Sequence, residues 1–122
     1  IPSFIFKHKQ LLLSFTPKDF SFIVEENLSD IFNRLSRANA KINLMQNSAL
    51  SFSVLLDEEK IDLQNILGLF ENNYTVKFDE NLELVTIRHY DQKTLDLVTK
   101  NKEVLLEQKT KETARLVLKP LF

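Results

Sequence analysis

Residues 41–56, KINLMQNSALSFSVLL, decide how the rest of the chain is arranged. They read as two strands joined by a polar turn at Asn47 and Ser48. Before the turn, Ile42 and Leu44 point one way while Lys41, Asn43 and Met45 point the other. After it, Leu50, Phe52, Val54 and Leu56 share one face, with Ser51 and Ser53 opposite. The pattern predicts a hairpin with one core face and one polar face, set in the middle of a sheet.

Working outward, residues 24–39 predict an amphipathic helix before the hairpin. Val24, Leu28, Ile31, Phe32 and Leu35 form one continuous stripe. Ser21 is placed to cap it, and Glu25 and Glu26 sit in its first turn, where the helix dipole favours negative charge. After a polar turn at 57–60, residues 61–72 predict a second helix burying Leu63, Ile66, Leu67 and Phe70. Gly68 lies within it, at a cost of up to about 1 kcal/mol against alanine. Strands at 10–16 and 74–78 flank this set, the first after a polar break at His8 and Lys9, the second ending at 79–81. The order β-α-β-β-α-β gives an α+β, ferredoxin-like antiparallel sheet of four strands with both helices on one face.

The remaining residues start the same pattern again. A strand is expected at 82–90, a short helix through Leu95 and Val98 at 91–101, and strands at 104–108 and 113–119 joined by a turn at 110–112. This second unit stops short, and the aromatic strand at 3–7 is the candidate to complete its sheet, since proteins usually cover an exposed edge. The domain boundaries that follow are 10–79 for the first unit and 82–122, completed by 3–7, for the second.

Composition narrows the function. With 122 residues and 43% hydrophobic content, the chain can bury a core in one domain or two very small ones. A net charge of −1 offers no electrostatic case for binding nucleic acid or an anionic membrane. No apolar run approaches the roughly 18 residues that span a bilayer. The absence of cysteine excludes disulfides and thiolate sites and is compatible with a cytoplasmic location. The chain does not begin with Met, so it is expected to be a fragment of something longer. A single glycine implies that Asn, Asp and Lys carry the chain reversals.

Catalytic patterns are absent. The two histidines, His8 and His89, lie far apart, and no nucleophile elbow, P-loop, H-E-x-x-H or dinucleotide fingerprint occurs. The ten phenylalanines invite comparison with RNA-binding sheets, but Phe15, Phe52 and Phe78 share faces with Leu and Val and are expected in the core. The pattern that could bind a small ligand is the loop 16–22 ahead of a helix N-terminus, whose amides suit a carboxylate. The polar run Asn43, Gln46, Asn47 and Ser48 could supply acceptors for an ammonium group. An amino acid presents both.

The run LLLSFTPKDFSFIVEENLSDIFNRLSRANAKINLMQNSALSFSVLLD at 11–57 resembles the regulatory tail of aspartokinases, a pair of ACT domains that follows an amino-acid-kinase catalytic domain. ELVTIRHYD at 83–91 and KEVLLEQ at 102–108 resemble the abbreviated second ACT domain of that family. The resemblance implies a non-catalytic fragment of an enzyme that phosphorylates aspartate with MgATP, on the way to lysine, threonine and methionine. It also implies association of ACT domains between subunits as a homodimer, communication with the chain's own kinase domain, and inhibition by lysine or threonine. By position, the effector site maps onto Asp19, Phe20, Ser21 and Phe22, then Ile42, Asn43, Gln46, Asn47 and Ser48. This sequence departs from the family's pattern in two places. Glu25 and Glu26 stand where many relatives begin the first helix with glycine. Asn43 and Ala49 stand where lysine-sensitive relatives carry acids. An ACT module that only joins subunits, without effector binding, is the alternative.

Overall fold

The computed structural model describes residues 1–122 as six strands and three helices, an α+β fold of antiparallel strands. In order, these are β1 (Ser3–Pro17), α1 (Glu25–Arg37), β2 (Ile42–Asn47), β3 (Phe52–Asp57), α2 (Leu63–Phe70), β4 (Tyr74–Arg88), α3 (Gln92–Thr99), β5 (Lys102–Lys109) and β6 (Thr113–Pro120), with a 3₁₀ turn at Glu58–Lys60. The chain divides into two compact units, Leu11–Glu80 and Ile1–Gln10 with Asn81–Phe122. No helix is long and apolar enough to cross a membrane.

The Leu11–Glu80 unit has the strand order β2-β3-β1-β4, β1 and β4 each contributing one half. Its core alternates as the strands do. Leu11, Leu13 and Phe15 of β1 and Phe52, Val54 and Leu56 of β3 lie against Ile31 and Leu35 of α1 and Ile66 and Phe70 of α2. Aromatic rings close it: Phe15 meets Phe70 at 4.5 Å between centroids, and Tyr74 stands edge-on to both. Phe32 packs edge-on against Phe52 at 5.4 Å.

The other unit has the order β1-β4-β6-β5 and a single helix. Leu95 and Val98 of α3 cover Val85, Ile87, Ala114, Leu116 and Leu118. Asp91 caps α3 by accepting from the Thr94 backbone N–H at 2.8 Å, and Thr94 Oγ1 accepts from the Asp91 N–H at 3.0 Å.

Several elements differ from the sequence pattern, each for a physical reason. The break expected at His8 and Lys9 is a single left-handed residue, Lys9 at φ 50°, inside one continuous strand. The break expected at 79–81 is likewise Asn81 at φ 57° inside β4. Polar residues mimic a turn in sequence, but ladder pairing on either side carries the strand through one twisted residue. Asn39 and Asn101 also sit in the left-handed region, as do Phe20 and His89, so asparagine does supply much of the reversal that glycine would.

The hairpin departs further. Its register shifts between Ile42 and Leu44, so that Ile42 opposes Leu56 while Leu44 opposes Leu55. Opposed residues share a face, and the extra residue, Asn43, reverses the alternation. Ile42 therefore faces the helices and Leu44 the other side, whereas simple alternation puts them together. That other side is not polar either. Leu12, Leu44 and Leu55 are buried there, and Ser53 is buried with its hydroxyl 2.9 Å from that of Ser14. Leu50 and Phe78, expected inside, are exposed. So is Val24, which precedes α1 instead of opening its stripe.

Candidate functional site

β1 ends at Pro17, which cannot donate to a ladder, and the chain turns with Phe20 N–H on the Pro17 carbonyl at 3.1 Å. Phe20 takes φ 61° in that turn. Asp19 Oδ1 then accepts from the Ser21 hydroxyl at 2.6 Å and from its N–H at 3.0 Å. Those bonds, the hydroxyl first, hold the Asp19 carboxyl below its ordinary range. They also occupy Ser21, which does not cap α1. The helix starts later, at Glu25, and its N-terminal Val24 N–H is taken by the Asn27 carboxamide oxygen at 2.9 Å.

One hydrogen bond sets the site. Ile23 N–H donates to the Ala49 carbonyl at 2.8 Å, tying the loop before α1 to the turn between β2 and β3. That turn is closed by Ser48, whose N–H donates to the Ser51 carbonyl at 2.9 Å. Beside the bridge lies a pocket of about 340 Å³ lined by Ile23, Val24, Glu25, Glu26, Leu28 and Asn47. The N-terminus of α1 borders this pocket, and a helix N-terminus attracts an anion, but Glu25 and Glu26 bring their own carboxylates to the same place. The pocket thus combines a helix N-terminus and a carboxamide, which suit an acidic group, with two carboxylates, which suit a basic one.

The nine residues mapped from sequence are divided among several places. Asn47 lines this pocket. Asp19 and Ser21 line a different cleft of about 380 Å³, with Asn27, Asp30, Arg34 and Tyr74. Phe20 and Phe22 are exposed, and Ser48 belongs to the hairpin turn. Ile42 borders a third hollow with Phe32 and Leu35. Gln46 opposes Ser53 on the face away from the helices. Asn43, the bulged residue, donates its Nδ2 to Asp57 Oδ1 at 2.9 Å, and Asp57 in turn faces Lys60 at 3.6 Å.

The second cleft holds a polar network. Arg34 donates Nε to Asp30 Oδ1 at 2.9 Å, Nη1 to the Leu69 carbonyl at 2.8 Å and Nη2 to Asn73 Oδ1 at 2.8 Å. The Tyr74 hydroxyl donates to Asp30 Oδ2 at 3.0 Å, and burial raises its pKa above the ordinary tyrosine value. The guanidinium also lies over the Phe70 and Tyr74 rings at 5.6 and 5.7 Å. These groups satisfy one another and lock α1 to the end of α2 and the start of β4. Sequence reasoning missed this cluster, although Asp30 and Arg34 stand four apart on one helix face, the spacing of a paired acid and base. It also missed Ile23, Val24 and Leu28 as pocket walls, because Val24 and Leu28 were assigned to the buried stripe of the helix.

With this geometry in hand, comparison with solved structures becomes informative. Escherichia coli aspartokinase III in complex with lysine and aspartate aligns with 98% of this chain at a TM-score of 0.73 and 18% identity, and the match spans 29% of that protein. Clostridium acetobutylicum aspartate kinase aligns with 96% of the chain at a TM-score of 0.78 and 12% identity, over 30% of its own length. The fold is that of aspartate kinase regulatory domains. The regulatory subunit of aspartate kinase from Thermus flavus shares this regulatory fold over 96% of the chain and 86% of its own length, with a TM-score of 0.70 and 6% identity. The chain spans about three-tenths of the two longer aspartate kinases. No protein-family model and no curated protein matches the sequence.

Proposed function

We propose that this chain is the regulatory, amino-acid-sensing part of an aspartate kinase, acting on a kinase domain outside these 122 residues that uses MgATP to phosphorylate aspartate. The observation that carries the reading is the pocket where the bridged loop and hairpin turn meet the N-terminus of α1. A free amino acid is the ligand class that fits, its carboxylate on the helix amides and its ammonium near Glu25, Glu26 and Asn47. Lysine and threonine are the candidate effectors. Two such chains forming a homodimer in the cytoplasm, with the effector close to their interface, complete the reading.

A second reading has an observation of its own. Asn43 is engaged by Asp57, and the Glu25 and Glu26 carboxylates already occupy the field of the helix dipole. Both favour an assembly module that has lost effector binding.

Melting the chain with lysine, threonine or methionine separates the two. A ligand held only by the native state stabilises by about 2.7 kcal/mol at a hundredfold excess over Kd. A rise with lysine or threonine is the expected result. No rise with any of the three, in a chain that sediments as a dimer, leaves assembly alone. Asn43→Asp sharpens this, because it sets a carboxylate against Asp57 at hydrogen-bond distance. Without an effector it is expected to lose about 1–3 kcal/mol at neutral pH. The repulsion raises the folded-state pKa of the pair, so stability returns as the pH falls and is lost as it rises. If lysine restores the variant at neutral pH, its ammonium is binding there.

A further inference from the structure

We infer that the polar cleft lined by Lys18 and Arg34 is a second ligand site, one that takes the phosphate group of a small molecule. The cleft, of about 380 Å³, shares no lining residue with the pocket at the start of α1. Its sides are tied together before any ligand arrives. The Lys18 N–H donates to the Asn73 carbonyl at 3.1 Å, joining the residue after β1 to the residue before β4. Arg34 of α1 reaches Asn73 Oδ1 and the Leu69 carbonyl, each at 2.8 Å. Walls held in this way lose little conformational freedom when a ligand binds.

The hydrogen bonds already made in the cleft use acceptors and leave donors over. Asp30 has Oδ1 on Arg34 and Oδ2 on the Tyr74 hydroxyl. The Oδ1 atoms of Asn73 and Asn27 accept from Arg34 and from the Val24 N–H. Asp19 Oδ1 accepts twice from Ser21. On the donor side, Arg34 makes three hydrogen bonds, and a guanidinium carries five N–H groups. Asn73 Nδ2 makes no bond, and the exposed Lys18 ammonium has no partner. The charges of Lys18 and Arg34 are balanced by Asp19 and Asp30, so the remaining capacity is for an acceptor-rich group. Donors arriving from the loop, from α1 and from the residue before β4 suit a tetrahedral anion, whose oxygens point several ways. A planar carboxylate is served best by a free guanidinium fork, and here the fork is divided among Asp30, Leu69 and Asn73. Lysine as a point charge and arginine as a multiple donor are ordinary phosphate partners. The cleft is also larger than a free ion needs, which leaves room for an organic group on the phosphate.

The cleft stands apart from the amino-acid pocket, so its test needs no amino acid and either site can fail without the other. Inorganic phosphate, titrated into the isotopically labelled chain at constant ionic strength, is expected to shift the side-chain amide resonances of Asn73 and Asn27 saturably, whereas acetate does not. Phosphate also stabilises proteins by exclusion from their surface, but that effect neither saturates nor depends on one lysine. Lys18→Met is expected to weaken binding about tenfold, the loss of one charge-assisted contact, with the melting temperature unchanged in the absence of phosphate. Asp19→Asn removes a negative charge from the wall and is expected to tighten binding about fivefold. Residues with a merely structural role would not move the affinity in opposite directions. Glycerol 3-phosphate distinguishes the sources of the group: tighter binding than inorganic phosphate assigns the site to a phosphomonoester, weaker binding to the free ion. Phosphate that gives no saturable shift overturns the inference. So does acetate that binds as well as phosphate, or a phosphate affinity that is the same in Lys18→Met as in the wild type.

Discussion

The two units share a strand plan but not a core. Leu11–Glu80 closes its sheet with two helices and buries Phe15, Phe52, Phe70 and Tyr74. The unit made of Ile1–Gln10 and Asn81–Phe122 has one eight-residue helix, buries only aliphatic side chains in its core, and leaves Phe4 and Phe6 outside. Aromatic rings bring the largest apolar area per residue, so the first unit is the anchor, whereas the second keeps Phe4 and Phe6 at its surface.

The largest test of this contrast is Phe15→Ala, expected to cost about 3–5 kcal/mol in denaturant unfolding, with hydrogen-exchange protection lost through residues 11–80. Ile87→Val in the other unit should cost about 0.5–1.5 kcal/mol. Equal losses would remove the claim that the aromatic cluster is the anchor. Next comes Arg34→Met, which deprives Asp30, Asn73 and the Leu69 carbonyl of their donor and is expected to cost roughly 2 kcal/mol. Adding Asp30→Asn should recover part of that loss, a coupling that a double-mutant cycle reads directly.

Smaller effects sharpen the picture of the helices. A Cβ at Gly68 meets nothing within 4 Å, so Gly68→Ala should stabilise by about 0.5–1 kcal/mol and raise the melting temperature. The smallest test concerns α3. Asp91 is held below the ordinary carboxylate range by the hydrogen bonds from Thr94, the backbone N–H first. A lowered folded-state pKa adds stability that is present above the unfolded value and lost as pH falls through the folded one. Asp91→Asn keeps the cap and should flatten the acid limb of melting temperature against pH.

How much was legible beforehand depends on the distance over which each feature is decided. Helices α1, α2 and α3 announce themselves by stripes such as Leu28, Ile31 and Leu35, because a 3.6-residue period needs only local spacing. The hairpin was legible as two strands but not in its facing, because the bulge at Asn43 depends on which β3 residue each β2 residue meets. The site was legible as a neighbourhood, the loop before α1 and the end of β2. Its walls were not, since they follow from Ile23 reaching Ala49 across twenty-six residues of sequence.

The sequence by itself determined the order of elements and most of the residues that are buried, because hydrophobic periodicity is written residue by residue, with Val24, Leu50 and Phe78 the exceptions. Only the tertiary structure decided that polar breaks at Lys9 and Asn81 would be single twisted residues inside long strands, and that Leu44 would turn away from Ile42. It alone left Phe4 and Phe6 exposed. Hydrogen-bond register and edge exposure belong to pairs of strands, and one strand's residues do not contain them.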